Sequence, residues 1–181
     1  SYLRIGSRSV SAGSSHSQSF YVHTKNASNR KEIMQIVEKH RIFVSTIASI
    51  TSQSAILSLK RFDTAVIDEA SQVLEPALVG LLPSFRRFVL IGDDKQLPAV
   101  VLQGKNASRI DDEELLKIGL TNRRNSLFER FLKRAEAEQW HWAYDMLSHQ
   151  GRMHDDIRRF PSEHFYAARL KLLEQDVVAN R

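Results

Sequence analysis

Two adjacent carboxylates, Asp68 and Glu69, stand directly after an apolar run of the sequence. The run, FDTAVI at residues 62–67, has the β-branched and aromatic composition of a buried strand, so the acids would emerge at its carboxyl end. Neighbouring side chains of an extended segment point in different directions, and the two acids could serve two purposes. Asp68 is placed to hold Mg²⁺, directly or through water, and Glu69 to orient and deprotonate a water that attacks a γ-phosphate. An ordinary acidic turn after a strand is the alternative, because short motifs have many false positives.

A second apolar run ends in a second polar cluster. Residues 87–91 read as a strand, and Asp93, Asp94 and Gln96 follow it. The amide of Gln96 is both a donor and an acceptor, so it could sense a γ-phosphate without the cost of a further charge. An ordinary turn with a solvated Gln96 is the alternative here.

The segment between the two runs, residues 76–82, is apolar and is predicted to be helical. Strand, helix and strand at this spacing predict a βαβ unit with parallel strands, whose carboxyl ends lie at one edge of a sheet. Ligands of open α/β sheets bind at that edge. We therefore expect Asp68, Glu69 and Gln96 to lie side by side at a common triphosphate pocket.

Capping patterns and periodicity predict the other elements. Asn29 precedes Glu32 by three residues, and Ser126 precedes Glu129 by three, which is the spacing of a capping box. We predict helices over about 30–40, 111–118 and 126–139, strands at 41–47 and 144–147, and a Gly- and Ser-rich loop over 6–19.

A third polar cluster, QGRMHDDIRRFPSEHFY, covers residues 150–166. Arg152 is a candidate for a cationic finger that neutralises charge developing on a phosphate, and a solvated arginine is the alternative. His154 is expected to pack or to cap the segment that follows. A metal site built from His149 and His154 is only weakly supported by comparison with known zinc spacings.

The composition narrows the function classes. The net charge of +5 and the pI of about 9.6 mildly favour an anionic partner such as nucleic acid. The absence of cysteine excludes disulfides, thiolate metal sites and a cysteine nucleophile. No apolar run approaches the roughly 20 residues that cross a bilayer, and the first residues show no signal pattern. We expect a soluble, cytoplasmic protein without a membrane partner.

The order of these motifs resembles that of the superfamily 1B helicases. The segments FDTAVIDEASQVLEPALVGLLP, RRFVLIGDDKQLPAVV, SLFERFL and QGRMHDDIRRFPSEHFYAARL occur in that order and cover about residues 41–170. They are most similar to bacterial members of the group that contains the replication helicase-nuclease and the nonsense-decay helicases. The resemblance implies Mg²⁺ and ATP as cofactors of the complete protein. It also implies single-stranded nucleic acid as its partner, with DNA favoured over RNA.

The resemblance also implies roles by position. Asp68 and Glu69 match the Mg²⁺-binding and catalytic-base positions. Gln96 matches the glutamine that senses the γ-phosphate, and Arg152 matches the arginine that the second motor domain contributes across the cleft.

A looser match concerns Ser45 and Thr46, which fall near the strand-borne motif that touches the nucleic-acid backbone in this family. A hydroxyl and a backbone amide can bind phosphate there without reading sequence, and an ordinary pair of strand-end hydroxyls is as good an interpretation. Two positions depart from the family pattern: Gly151 stands where Tyr is usual, and Asp155 where Pro is usual. The second change is expected to loosen the backbone that presents Arg152.

The predicted fold is α/β, a partial RecA-like parallel sheet flanked by helices. Residues 1–145 are predicted to form part of a first motor domain, and residues 146–181 to begin a second. No GxxxxGK(S/T) phosphate loop occurs, and Gly104-Lys105-Asn106 lacks the other residues of that loop. We therefore expect a fragment of an ATP-dependent helicase or translocase that is inactive without the missing motor segments of its parent chain.

Two other functions stay open from the sequence. A metal-dependent nuclease could use Asp68, Glu69, Asp93 and Asp94 to hold two metals. A non-catalytic module derived from a degenerate helicase could dock on nucleic acid or on another protein.

Overall fold

The computed structural model describes residues 2–6 and 16–173, which form a mixed α/β fold with three separate pairs of parallel strands. The elements are β1 (Tyr2–Ile5), α1 (Phe20–Thr24), α2 (Arg30–Lys39), β2 (Ile42–Ser45), α3 (Ile47–Ser52), β3 (Phe62–Ile67), α4 (Glu75–Val79), β4 (Phe85–Leu90), α5 (Glu113–Lys117), α6 (Leu127–Ala137), β5 (His149–Gln150), α7 (Asp155–Phe165) and β6 (Lys171–Leu172). Short 3₁₀ turns lie at His16–Gln18, Ser54–Ser58, Ala70–Gln72, Leu82–Ser84 and Asn106–Ser108. Within the described part of the chain, no helix has the length and apolar character that a membrane crossing needs.

The predicted βαβ unit is confirmed. β3 and β4 pair in parallel, in a register that runs from Phe62 opposite Phe85 to Ile67 opposite Leu90. The connecting helix α4 is shorter than predicted and ends at Gly80, after which a 3₁₀ turn containing Pro83 leads into β4.

The predicted helix starts are confirmed as well, because capping is a local interaction. The side chain of Asn29 accepts a hydrogen bond from the Glu32 amide at 3.1 Å at the start of α2. Ser126 Oγ accepts one from the Glu129 amide, also at 3.1 Å, at the start of α6. The third predicted helix, α5, ends before Gly119, whose φ of +83° suits glycine.

The strand predicted at 144–147 is wrong. This segment is coil, and the strand β5 comes later and pairs in parallel with β6 beyond α7. A strand needs a hydrogen-bonded neighbour, and the ladder forms where the Lys171 amide donates to the Ser148 carbonyl and the Leu173 amide to the Gln150 carbonyl. The strand predicted at 41–47 ends at Ser45, because Thr46 caps α3, a helix that was not predicted. Helix α1 was not predicted either, and residues 7–15 of the predicted 6–19 loop lie outside the described residues.

The two faces of the β3–β4 pair differ in how far other side chains shield them from solvent. On one face Phe88 stacks against Phe131 of α6, with 6.0 Å between the ring centroids. On the other face Val66 and Val89 lie opposite each other in register and stay 63% and 48% exposed. The apolar core is small, and its buried members are Leu3, Ile5, Val37, Ile56, Ala70, Leu78, Leu81, Ile110, Leu127 and Ala135.

A buried ion pair joins the helix that follows β3 to helix α6. Glu75 accepts two hydrogen bonds from the guanidinium of Arg130, at 2.8 Å from Nε and 2.5 Å from a terminal nitrogen. The two side chains are only 6% and 12% exposed, and the other terminal nitrogen of Arg130 donates to the Ile118 carbonyl. This two-pronged pair fixes α4 against α6 and has no counterpart in the sequence-based predictions.

We expect the variant Arg130→Met to lower the free energy of unfolding by about 3–5 kcal/mol, because it leaves the Glu75 carboxylate buried without its partner. Urea denaturation followed by circular dichroism measures this. The control Lys117→Met breaks an exposed ion pair with Glu114 and should cost less than about 1 kcal/mol. Equal costs for the two variants would show that the buried pair has no special role.

Candidate functional site

The ends of β3 and β4 are tied together by hydrogen bonds that continue beyond the strands. The Ile91 amide donates to the Ile67 carbonyl, and the Ala70 amide donates to the Ile91 carbonyl, both at 2.8 Å. Beyond these, the Asp93 amide donates to Ser71 Oγ at 3.1 Å. The polar segments that follow the two strands therefore share one edge of the sheet.

Gly92 makes this closure possible. A Cβ atom at position 92 would lie 2.8 Å from the backbone nitrogen of Ser71, closer than real Cβ atoms come. Ser71 itself is 7% exposed and cannot move away freely. Gly92 is thus required because two chain segments approach each other closely here. Its position directly after the second apolar run is a sequence signal that could have suggested this approach.

Asp68 and Glu69 are both exposed at this edge. Asp68 Oδ1 accepts a hydrogen bond from the Glu69 amide at 3.0 Å, and Glu69 Oε2 accepts one from Gln72 Nε2 at 3.2 Å. The strand ends at Ile67, and Glu69 has the left-handed backbone conformation, with φ of 52°. We expected the two carboxylates to point in different directions because side chains alternate along a strand. That explanation is wrong, because both acids follow the strand and Glu69 lies in a left-handed turn. Such a conformation costs a residue with a Cβ about 1–3 kcal/mol and persists only where neighbouring contacts hold it.

Gln96 lies in the turn after β4 and is bound to an acid of the same turn. Its Nε2 donates to Asp93 Oδ2 at 2.9 Å, while Asp93 Oδ1 accepts from the Lys95 amide at 3.0 Å. Lys95 Nζ pairs with Asp94 at 2.7 Å, and this hydrogen bond raises the pKa of Lys95. The amide of Gln96 is thus held in place by Asp93, which engages one of its two N–H groups.

Tyr166, which sequence reasoning did not single out, reaches the same carboxylate from the far end of the chain. Its hydroxyl donates to Asp93 Oδ2 at 2.5 Å. Burial, together with the hydrogen bond to Asp93, raises the pKa of Tyr166 to about 12. No local signal marks this contact, because 73 residues separate the two partners.

Arg152 is exposed, and within residues 2–6 and 16–173 its guanidinium has no hydrogen-bond or ion-pair partner. The structure does not bring it into contact with the polar residues that follow β3 and β4, namely Asp68, Glu69, Asp93 and Gln96, which we call the strand-end cluster. Its backbone amide donates to Gln150 Oε1 at 2.9 Å.

The residues after Arg152 form the ordered start of α7. His154 caps this helix, with Nδ1 accepting from the Asp156 amide at 3.4 Å, which confirms the capping prediction. Asp155 is its first residue and pairs with Arg158 at 2.6 Å, and this hydrogen bond lowers the pKa of Asp155. Instead of loosening the backbone, Asp155 stabilises the helix start.

Ser45 and Thr46 lie apart from the strand-end cluster, at the end of β2. Ser45 Oγ donates to the Ile5 carbonyl at 3.1 Å, and Thr46 Oγ1 accepts from the Ser49 amide at 3.2 Å as the cap of α3. Both hydroxyls thus have structural partners. They also line an open cavity of about 300 Å³ whose walls are formed by Arg4, Ile5, Gly6, Val44, Ser45, Thr46 and Ser49.

The described residues contain no group of three or more His, Asp or Glu side chains arranged to hold a metal ion. The two-metal nuclease alternative therefore gains no support from the geometry. A single exposed carboxylate such as Asp68 suits Mg²⁺ of the kind that a nucleotide brings, because that ion keeps several waters and binds one or two carboxylates together with phosphates.

Comparisons with known proteins point to one family. Residues 7–104 match a family model described as an AAA domain, and residues 123–180 match a second model with the same description. The chain is 34% identical over 137 residues to a protein of Arabidopsis thaliana named "Probable helicase MAGATAMA 3", an alignment that covers 75% of the chain and 14% of that protein.

Two further relatives carry more specific names. The DNA polymerase alpha-associated DNA helicase A of Saccharomyces cerevisiae is 33% identical over 162 residues, which cover 83% of the chain and 21% of that protein. The DNA replication ATP-dependent helicase/nuclease DNA2 of Mus musculus is 32% identical over 157 residues, which cover 87% of the chain and 13% of that protein. The chain thus spans about a fifth or less of the length of these relatives.

We expect Gly92→Ala to lower the free energy of unfolding by about 1–3 kcal/mol, because the new Cβ forces the two strand ends apart. The matched control is Gly80→Ala, since nothing lies within 4 Å of a Cβ there and its φ is −72°. This control should change stability by less than about 1 kcal/mol. Thermal denaturation compares the two, and a Gly92→Ala protein as stable as Gly80→Ala would contradict the close approach.

Proposed function

We propose that this chain contributes three functions to an ATP-driven motor: it activates water, holds Mg²⁺ and senses the γ-phosphate. The chain belongs to the AAA domain family and is a segment of a superfamily 1 helicase. The observation that carries the proposal is the closure of the strand ends between Ser71 and Asp93. It supports a shared edge for the acids after β3 and the amide after β4, where a nucleotide binds in open α/β sheets. We interpret the fold as a partial RecA-like sheet, with a second motor domain beginning near residue 146.

Each proposed role follows from the chemistry of the side chain. Mg²⁺ held at the phosphates would neutralise charge that develops during transfer. Asp68 offers a carboxylate oxygen to it or to one of its waters. Glu69, exposed in its left-handed turn, accepts the proton of the attacking water. Gln96 donates an N–H of its amide to a γ-phosphate oxygen, and the proposal includes that the amide leaves Asp93 to do so.

Arg152 is proposed to complete the site from the second segment. In the described conformation its guanidinium is exposed and unpaired among the described residues, so no existing ion pair has to break. A guanidinium that approaches the phosphates during closure neutralises transition-state charge. The phosphate grip itself has to come from another segment, because no GxxxxGK(S/T) sequence occurs in these residues.

The cavity beside Ser45 and Thr46 is proposed to bind the backbone of single-stranded nucleic acid. Among the described residues that line this cavity, Arg4 is the one that carries a charge. The Arg4 guanidinium suits a phosphate group without distinguishing bases, and the Ser45 and Thr46 hydroxyls would exchange their structural partners for it. DNA is the proposed strand, in line with the names of two of the relatives.

A non-catalytic docking module remains the second candidate. It is favoured by one observation, the hydrogen bond from Gln96 Nε2 to Asp93, which holds the amide on an acid of the same turn in the described conformation. A docking module would bind strands equally well with and without nucleotide.

We expect millimolar Mg²⁺–ATP to shift the NMR signals of Glu69 and of the Gln96 side chain, whereas Mg²⁺–AMP, which lacks the γ-phosphate, leaves them in place. Binding should be weak and turnover absent, because the phosphate grip is missing. Identical responses to ATP and AMP would contradict the γ-phosphate site. Turnover that exceeds that of the variant Glu69→Gln would contradict the inactivity of the isolated chain.

We also expect the chain to bind a fluorescent single-stranded oligonucleotide with an affinity that falls as salt rises. Removal of one phosphate contact in Arg4→Gln should reduce the slope of log K against log salt by roughly 0.7. The control Lys31→Gln removes an exposed charge on α2 that is not among the residues lining the cavity. Fluorescence anisotropy measures both variants, and equal slopes would remove Arg4 from the proposed interface.

A further inference from the structure

Tyr166 connects the last part of the chain to the turn that carries Gln96. It follows α7, and the next two residues, Ala167 and Ala168, both have positive φ values, of 50° and 58°. The Ala168 amide donates to the Ser162 carbonyl at 2.8 Å, which closes the end of the helix. This reversal of the chain holds the partly buried Tyr166 ring in a defined place, with its hydroxyl on Asp93.

One oxygen atom of Asp93 accepts both contacts. Oδ2 takes the Tyr166 hydroxyl at 2.5 Å and Gln96 Nε2 at 2.9 Å. The other oxygen takes the Lys95 amide, and the Asp93 amide is bound to Ser71 Oγ, so the carboxylate cannot simply rotate to serve its donors separately.

We propose that Tyr166 is a positioning residue which, through the shared oxygen of Asp93, sets how readily Gln96 gives up its hydrogen bond to a γ-phosphate. This inference rests on the proposed function of Gln96. Two donors on one oxygen compete for the same electron density, so the Tyr166 hydrogen bond weakens the one from Gln96. The part of the chain after residue 146, which we call the second segment, thereby influences the side-chain amide of Gln96 without touching the nucleotide.

The coupling has a definite sign. When Tyr166 is bound to Asp93, Gln96 is released more easily, and the γ-phosphate binds better. By thermodynamic reciprocity, a phosphate that draws Gln96 away strengthens the contact between Tyr166 and Asp93. Nucleotide binding would therefore tighten the hold of the second segment on the first. The raised pKa of Tyr166 agrees with a hydroxyl that keeps its proton on a carboxylate.

The test removes the Tyr166 hydroxyl and observes the side-chain amide of Gln96, the other donor to Asp93 Oδ2. In Tyr166→Phe, with no nucleotide present, Asp93 Oδ2 keeps only Gln96. We expect the side-chain amide signals of Gln96 to move downfield and their exchange with solvent to slow, because Asp93 Oδ2 then accepts from Gln96 alone. A merely structural Tyr166 would leave these signals in place.

The reverse arm uses Gln96→Ala, which leaves the contact between the two segments intact. We expect the ¹³Cζ signal of Tyr166 to move, because its hydroxyl becomes the sole donor to that oxygen. Tyr144→Phe is the control for the first arm, since Tyr144 contacts His141 instead. Gln35→Ala on α2 is the control for the second. Should Tyr166→Phe detach the last segment, as its backbone amide signals would reveal, the Gln96→Ala arm decides.

Unchanged Gln96 signals in a folded Tyr166→Phe protein, or an unchanged Tyr166 signal in Gln96→Ala, would overturn the inference. These two arms contain no nucleotide, so they separate the coupling from the motor proposal. If Gln96 responds to Tyr166→Phe but not to Mg²⁺–ATP, the coupling stands and the sensing role fails. If Gln96 responds to Mg²⁺–ATP but not to Tyr166→Phe, the sensing role stands and the coupling fails.

Discussion

Gly92 lies against the backbone of Ser71, and this approach determines where the candidate catalytic side chains sit. It lets the Asp93 amide reach Ser71 Oγ and brings the segment after β4 onto the segment after β3. The Ala70 amide then finds the Ile91 carbonyl, a tie that holds Glu69 just before it in a left-handed turn. The strain at Glu69 is thus stabilised by hydrogen bonds between the two strand ends, and the position of the proposed base depends on them.

Hydrogen bonds and one buried ion pair hold the structure around this edge of the β3–β4 pair. The β3–β4 pair has apolar cover on one face only, with Val66 and Val89 exposed on the other, so hydrophobic burial alone anchors it weakly. The fork between Glu75 and Arg130 compensates by fixing α4, which begins four residues after Ser71, against α6. Buried pairs of this kind contribute little net stability compared with apolar packing, but they hold one geometry, because any other leaves a charge unpaired. A single fixed geometry suits a site in which the proposed roles of the side chains depend on the directions in which they lie.

Sequence reasoning succeeded where the physics is local. The starts of α2 and α6 follow from Asn29 and Ser126, whose caps involve residues three positions away. The parallel pairing of β3 and β4 follows from the length of their connection. The turn at Glu69 was missed because nothing in its residue type favours positive φ, and the contact between Tyr166 and Asp93 was missed because it joins distant segments. The strand expected at 144–147 failed because pairing depends on where β6 returns.

The second segment contacts the strand-end cluster through Tyr166, and this choice of side chain affects when the proposed site could close around a nucleotide. In the described conformation that group is the neutral hydroxyl of Tyr166, while the charged Arg152 stays in solvent. A neutral donor can rest on Asp93 before any phosphate arrives, because it brings no charge that needs a counter-ion. An arginine placed there early would pair with the free acids and hold the cleft shut. Contact by the phenol first and by the guanidinium only once phosphate charge is present would keep closure dependent on nucleotide.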